Sequence, residues 1–203
     1  MSENLTKAQQ RAVQYWFVDG LAEIAAGLAS LLLALFFVIW PYIIKTRWSL
    51  LIFFAVAFAV SFGLRLVIQR IKERTTYPRT GYVAPLTGFE NKRALVIAVA
   101  FTVLLLAVNF YLTLQGPKAL LWSPGVAGLV FAFIFSLTGY WSGLRRLYFL
   151  ALFCCLTGIL LVFLRIGYLT GVAVLTGLIG VILLYFGIRA RRAYLRQNPS
   201  ASA

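Results

Sequence analysis

Apolar residues run along this chain in long blocks, without the alternation of polar and apolar positions that marks a half-buried helix or strand. A helix needs about 20 mainly apolar residues to cross a bilayer, and at that length the blocks divide into six segments. They are 24–44, 48–68, 94–114, 124–141, 147–164 and 168–188. Backbone groups in lipid must be hydrogen-bonded within their own element, which favours helices. The pattern therefore predicts an all-α membrane protein, a bundle of about six transmembrane helices.

The polar stretches set the limits of this bundle. Residues 1–15 form a polar N-terminal segment, 16–192 the transmembrane domain and 193–203 a polar C-terminal tail. The longest internal polar stretch is 71–93, where β-forming residues flank a turn signal made by Pro78 and Gly81. That signal predicts a small β-hairpin within the loop 71–93.

Composition and charge agree with a lipid environment. The 203 residues are 62% hydrophobic and only 12% charged, whereas a soluble domain carries about 25% charged residues. The net charge of +14 comes from basic residues at the ends of apolar runs, where they orient helices and meet anionic headgroups. We therefore expect the lipid bilayer and anionic lipid headgroups on the cytoplasmic side as partners, and no nucleic acid.

The distribution of Lys and Arg predicts an orientation. If the N-terminus lies inside, fifteen of the 19 basic residues face the cytoplasm, as the excess of positive charge in cytoplasmic loops requires. The four that face outward are Lys45, Arg47, Lys118 and Arg165. We expect a multi-pass protein of the cell membrane, inner or plasma, with both termini in the cytoplasm.

Asp19 and Glu23 are the most informative acidic residues, because the chain has only five and these two lie four apart at the start of the first span. That spacing predicts that both occupy one helix face. Carboxylates at membrane depth are costly and are usually paired. One interpretation is that they pair with Arg65, Arg145 or Arg146 and fix helix packing, and this is the one we favour. The other is a proton or cation site.

Two further polar residues lie within predicted spans. Arg65 on the second span is expected to reach the interface or form an ion pair, with anion binding as the alternative. Asn109 on the third span is expected to bond a neighbouring helix, a contact worth about 1 kcal/mol. The alternative for Asn109 is the lining of a pore.

The inner loop holds a candidate contact site formed by Tyr77, Arg79 and Tyr82. Loops often carry function, and this one lies between basic helix ends that face anionic headgroups. We expect it either to bind a cytoplasmic partner or to anchor the loop at the interface.

Small residues recur at four-residue spacing on several spans, a pattern that lets helix backbones approach closely. It is equally typical of packing within one bundle and of a homo-oligomer interface. The stripes are Ala22, Ala26, Ser30 and Ala34; Ala55, Ala59 and Gly63; Gly128, Ala132 and Ser136; and Gly167 with Gly171.

Motifs for catalysis are not present in the sequence. The chain has no His, the commonest metal ligand and neutral-pH base. Cys154 and Cys155 are adjacent, which does not match a metal-ligand spacing. A nucleotide-binding glycine loop is not present either. We therefore expect no catalytic residues, no metal site and no cofactor, and a protein that is not an enzyme.

Two segments, 15–20 (Tyr-Trp-Phe-Val-Asp-Gly) and 77–83 (Tyr-Pro-Arg-Thr-Gly-Tyr-Val), together with the layout of spans, resemble uncharacterised bacterial multi-pass membrane proteins. The resemblance implies a membrane bundle and brings no known activity. Three functional hypotheses stay open. The favoured one is a non-enzymatic membrane subunit or interaction protein that packs against itself or a partner membrane protein. The alternatives are a small channel or secondary transporter using Asp19 and Glu23, and a membrane-embedded lipid-modifying enzyme.

Overall fold

A computed structural model of the protein describes residues 17–43, 49–76 and 92–198. Within those residues the chain is helical and contains no strand, so the predicted all-α class is confirmed for them. The helices are α1 Leu21–Ile43, α2 Ser49–Thr75, α3 Lys92–Leu114, α4 Pro117–Leu120, α5 Ser123–Ser142, α6 Arg145–Phe163 and α7 Tyr168–Gln197.

Four helical segments of the described chain are long and apolar enough to cross a membrane, rather than the six predicted from sequence. They are Leu21–Tyr42, Lys118–Ser142, Arg145–Phe163 and Tyr168–Gln197. The predicted spans 48–68 and 94–114 are also helical, as parts of α2 and α3. In α2 the uncharged stretch ends at Leu64, before Arg65. At 1.5 Å per residue it is about 24 Å long, so the Arg65 side chain would have to extend to the interface if α2 crosses a hydrocarbon layer of about 30 Å.

The predicted β-hairpin of loop 71–93 falls mostly on residues 77–91, which lie outside the described residues. Its first residues are described, and they continue helix α2 to Thr75, so the prediction of β structure is wrong there. The hydroxyl of Thr75 donates a hydrogen bond to the carbonyl of Ile71, 2.6 Å away, as helical threonines commonly do. The β-branched residues of this stretch therefore end a helix.

Two helix pairs, α1 with α7 and α5 with α6, make the most extensive contacts, and α7 also contacts α5 and α6. By comparison, α2 packs lightly on α1 and α3 packs lightly on α5. The buried apolar cluster belongs to α6 and α7. Its members are Leu150, Cys154, Leu161, Leu175, Ile179 and Leu183.

Glycines allow the backbones of α1 and α7 to touch. Gly20 lies against the carbonyl oxygen of Gly187. A Cβ added to Gly27 would lie 2.9 Å from the carbonyl oxygen of Gly180. From the first pair to the second, the residue number rises on α1 and falls on α7, so the two helices are antiparallel. The residues in contact on α1 are seven apart, whereas Ala26 of the predicted four-residue stripe is exposed.

The α5–α6 pair has a similar contact. A Cβ on Gly128 would lie 2.9 Å from the Cα of Gly158 and 2.7 Å from the carbonyl oxygen of Cys154. Gly128 was in a predicted stripe, and here a small residue does permit the close approach that such stripes allow. By contrast, Gly63 on α2 has no atom within 4 Å of its added Cβ.

Candidate functional site

Charged side chains from four helices meet at one end of the bundle. We call this end the polar end and define it by Asp19, Glu23, Lys72, Arg146 and Arg191. Here α1 and α6 begin and α2 and α7 end. Because helices placed side by side in opposite directions bring such termini together, the fold gathers residues that are far apart in sequence.

Asp19 precedes α1 and has partners for both carboxylate oxygens. Oδ1 accepts a hydrogen bond of 3.1 Å from the backbone N–H of Leu21, which satisfies a donor at the start of the helix. Oδ2 accepts one of 3.2 Å from the hydroxyl of Thr76 and lies 3.5 Å from Nζ of Lys72. The Asp19 side chain is 1% exposed. It therefore caps α1 and also fastens the end of α2 to it.

Lys72 is the buried cation of this pair, with a side chain that is 4% exposed. Burial disfavours a charged amine and lowers the pKa of Lys72 from its ordinary value of 10.5, while the Asp19 carboxylate raises it and offsets part of that effect. An ammonium this deep would be very costly without a partner. Asp19 and Lys72 therefore depend on one another.

Glu23 lies one turn into α1 and is held differently. Its Oε1 is 2.7 Å from Nε of Arg146, and its side chain is 3% exposed. Despite the short distance, the contact lacks hydrogen-bond geometry, so it is an ion pair only, and neither carboxylate oxygen has a hydrogen-bond partner in the described part of the chain. A carboxylate offers about four acceptor positions, so Glu23 is buried with most of its capacity unused.

Arg146 connects α6 to the turn that leads into α1. Besides its contact with Glu23, its Nη2 donates a hydrogen bond of 3.1 Å to the carbonyl of Phe17. Its side chain is 28% exposed. One arginine therefore holds both the turn before α1 and the first turn of that helix.

Arg191 attaches α7 to the end of α2. Its Nη2 donates a hydrogen bond of 2.6 Å to Thr75 Oγ1, and Nη1 donates a longer one, of 3.4 Å, to Thr76 Oγ1. The hydroxyl of Tyr194 on the same helix lies 3.5 Å from the carbonyl oxygen of Thr76. These contacts fasten the end of α2 to α7, just as Asp19 fastens it to α1.

The structure separates the residues singled out from the sequence. It brings Asp19, Glu23 and Arg146 together, while Arg65 and Arg145 are exposed and make no ion pair in the described chain. Asn109 lies on α3. Tyr77, Arg79 and Tyr82 lie outside the described residues.

Sequence reasoning missed Lys72, Thr76, Arg191 and Tyr194, since it assigned the first two to a loop and the others to a basic helix end. A signal did exist, because Lys72 and Thr76 are four apart and hence on one face if α2 continues.

A metal centre has no basis in the described residues, because they hold no group of three or more His, Cys, Asp or Glu side chains. Cys154 is buried and free, and Cys155 is partly buried and free. No family model, curated protein or solved structure matches this chain. The function is therefore argued from the geometry.

Proposed function

We propose that this chain is a multi-pass protein of the cell membrane that acts as a non-enzymatic membrane subunit or interaction protein. In this proposal α2 and α3 join the four apolar segments as spans, which gives six, and both termini lie in the cytoplasm. Its partners are anionic lipid headgroups and either a second copy of the chain or another membrane protein.

The observation that carries the proposal is the set of bonding partners of the Asp19 carboxylate. Its two oxygens meet Leu21, Thr76 and Lys72, so both oxygens are engaged by groups that hold helices together. A transported ion would have to displace those contacts. The polar end is therefore best explained as a fastening of the bundle.

The exposed surface supports a role in contacts. Large apolar side chains on α2 and α3, such as Phe58, Phe62, Val103 and Phe110, are exposed. A soluble surface rarely carries so many large exposed apolar side chains, whereas lipid or a partner helix covers them favourably. These two helices pack lightly within the chain, which leaves most of their surface for such contacts.

Native mass spectrometry of the protein, extracted gently from its own membrane, tests the proposal. We expect a stoichiometric foreign subunit or a defined homo-oligomer. A strict monomer without any retained protein partner would refute the subunit role. Recovery of the chain in the soluble fraction would refute membrane embedding itself.

Cysteine labelling tests the orientation, in a background with Cys154→Ala and Cys155→Ala. Lys118→Cys should react with an impermeant reagent added outside intact cells, and Arg79→Cys should react only after the cells are opened. The reverse pattern would refute the proposed topology.

A second candidate function is a small channel or secondary transporter that uses Glu23 together with Asp19. The specific observation in its favour is the buried, incompletely bonded carboxylate of Glu23, since unsaturated carboxylates at membrane depth are typical of proton and ion pathways. In proteoliposomes, Glu23→Gln should then lower proton or cation flux at least tenfold. Glu73→Gln, which changes an exposed carboxylate, is the matched control. Flux unchanged in Asp19→Asn with Glu23→Gln would eliminate this candidate.

A further inference from the structure

Helix α7 extends well past the length that a membrane span requires. Its uncharged part, from Tyr168 to Ile188, is followed by the basic segment Arg189–Gln197 within the same continuous helix. At 1.5 Å per residue the uncharged part covers about 31 Å, close to the hydrocarbon thickness of about 30 Å. On the membrane placement proposed above, Arg189 therefore lies where the headgroups begin.

The arginines of this extension divide between two faces. Arg191 points to α2, where it bonds Thr75, and Tyr194 is buried on the same side. Arg189, Arg192 and Arg196 are exposed and are spaced by three and four residues, which places them on one helix face. We call Arg189, Arg192 and Arg196 the arginine stripe.

The positions of the three arginines along the helix axis can be compared with the depth of the headgroup layer. Along the helix axis, Arg192 lies about 4.5 Å and Arg196 about 10.5 Å beyond Arg189, while the headgroup layer on each side is about 5 to 7.5 Å thick. The first two members of the stripe therefore lie within the headgroup layer, and the third lies about 3 Å or more beyond it, from where a long arginine side chain can reach back to the phosphates.

Among the described residues, no acidic side chain neutralises the charge of the stripe. Its three arginines form no ion pair within the described chain. Of the acidic residues in that part, Asp19 and Glu23 are buried, and Glu73 accepts a hydrogen bond from Gln69. The helix dipole favours a cation in the last turn of a helix, on any face. It therefore does not explain Arg189, which lies before the last turn of α7, or the alignment of the three arginines on one face.

We propose that the arginine stripe is a binding site for the phosphates of anionic phospholipids. Guanidinium groups bind phosphate through paired hydrogen bonds. Because Arg191 and Tyr194 fasten the extension to α2, the helix that carries the three arginines is held in place before a lipid arrives. The inference rests on the proposed membrane location and goes beyond it by naming the site and the ligand class.

Native mass spectrometry from nanodiscs of equal parts phosphatidylglycerol and phosphatidylcholine with the same acyl chains tests the stripe. The wild-type protein should retain phosphatidylglycerol preferentially. Arg189→Gln/Arg192→Gln/Arg196→Gln should reduce that retention at least tenfold. The matched control is Arg70→Gln/Arg74→Gln/Arg145→Gln, which removes the same charge from exposed arginines on α2 and α6 and should retain most of it.

Equal loss in both triple variants would overturn the proposal, because binding would then depend on overall charge. Loss of phosphatidylglycerol on addition of millimolar inorganic phosphate would also overturn it, since the site would take free phosphate. Incorporation of both variants into nanodiscs shows that the membrane fold is intact. Failure of the wild-type protein to incorporate would instead count against the proposed function.

Discussion

Replacing Asp19 by Ala removes three contacts at once: the bond to the Leu21 N–H, the bond from Thr76 and the ion pair with Lys72. It also leaves the Lys72 ammonium buried without its carboxylate. Removing one partner of a buried ion pair costs about 3 to 5 kcal/mol, and loss of a helix-capping side chain costs about 1 kcal/mol. We expect Asp19→Ala to lower the free energy of unfolding by about 3 kcal/mol or more.

Much of that loss should be recoverable. In Asp19→Ala/Lys72→Met the buried charge is gone, and a buried pair replaced by apolar groups is often neutral in stability. The double variant should therefore be more stable than Asp19→Ala alone. Equilibrium unfolding in mixed micelles, followed by circular dichroism, would give the four free energies of the cycle and hence the coupling energy.

Glu73→Ala is the control for this cycle, because Glu73 is exposed and its hydrogen bond within the described residues is with its helical neighbour Gln69. Its effect should stay within about 0.5 kcal/mol, as for most surface substitutions. An Asp19→Ala variant as stable as Glu73→Ala, with a coupling energy near zero, would refute the reasoning that the polar end fastens the bundle.

Other substitutions test packing and charge separately. Gly27→Ala should lower the free energy of unfolding by about 1 to 3 kcal/mol, because its methyl meets the backbone of α7. By contrast, a Cβ added to Gly63 has no described neighbour within 4 Å, so Gly63→Ala should stabilise α2 by up to about 1 kcal/mol. The lowered pKa of Lys72 means that the unfolded chain binds more protons between the folded-state pKa and 10.5, so stability should rise with pH in that window. Unfolding measured across it should show a weaker rise in Lys72→Met. Tyr194→Phe removes the hydroxyl that lies 3.5 Å from the carbonyl oxygen of Thr76, and loss of so long a hydrogen bond should cost less than about 1 kcal/mol.

The helices could be predicted because hydropathy is a property of each residue alone, so a long apolar run can be recognised without knowledge of tertiary contacts. The predicted segment 147–164 corresponds to α6, Arg145–Phe163, and 124–141 to α5, Ser123–Ser142. The end of α2 could not be predicted in this way, because charged residues such as Lys72 and Glu73 are typical of a loop. Only the burial of Lys72 against Asp19 accounts for the helix continuing through them.

The partners at the candidate site depend on tertiary contacts. Sequence spacing indicated that Asp19 and Glu23 lie together, but their environments differ because each faces another helix. Lys72 and Thr76 come from α2, whereas Arg146 comes from α6. The glycine contacts of α1 were missed for a related reason, since a pair seven residues apart is informative only once its counterpart on α7 is known.

The pairing of α1 with α7 has a consequence for biogenesis. Gly20 and Gly27 meet residues that lie about 150 to 170 positions further along the chain. At about 5 to 20 residues per second, a ribosome needs about 8 to 34 s to synthesise that much. During this interval the glycine face of α1 lacks its partner α7. The carboxylates at the start of α1 likewise lack their partners until α2 and α6 have been synthesised. Helix α1 is therefore synthesised well before its contacts can be completed, and on the proposed membrane location lipid or the insertion machinery would shield it in that interval.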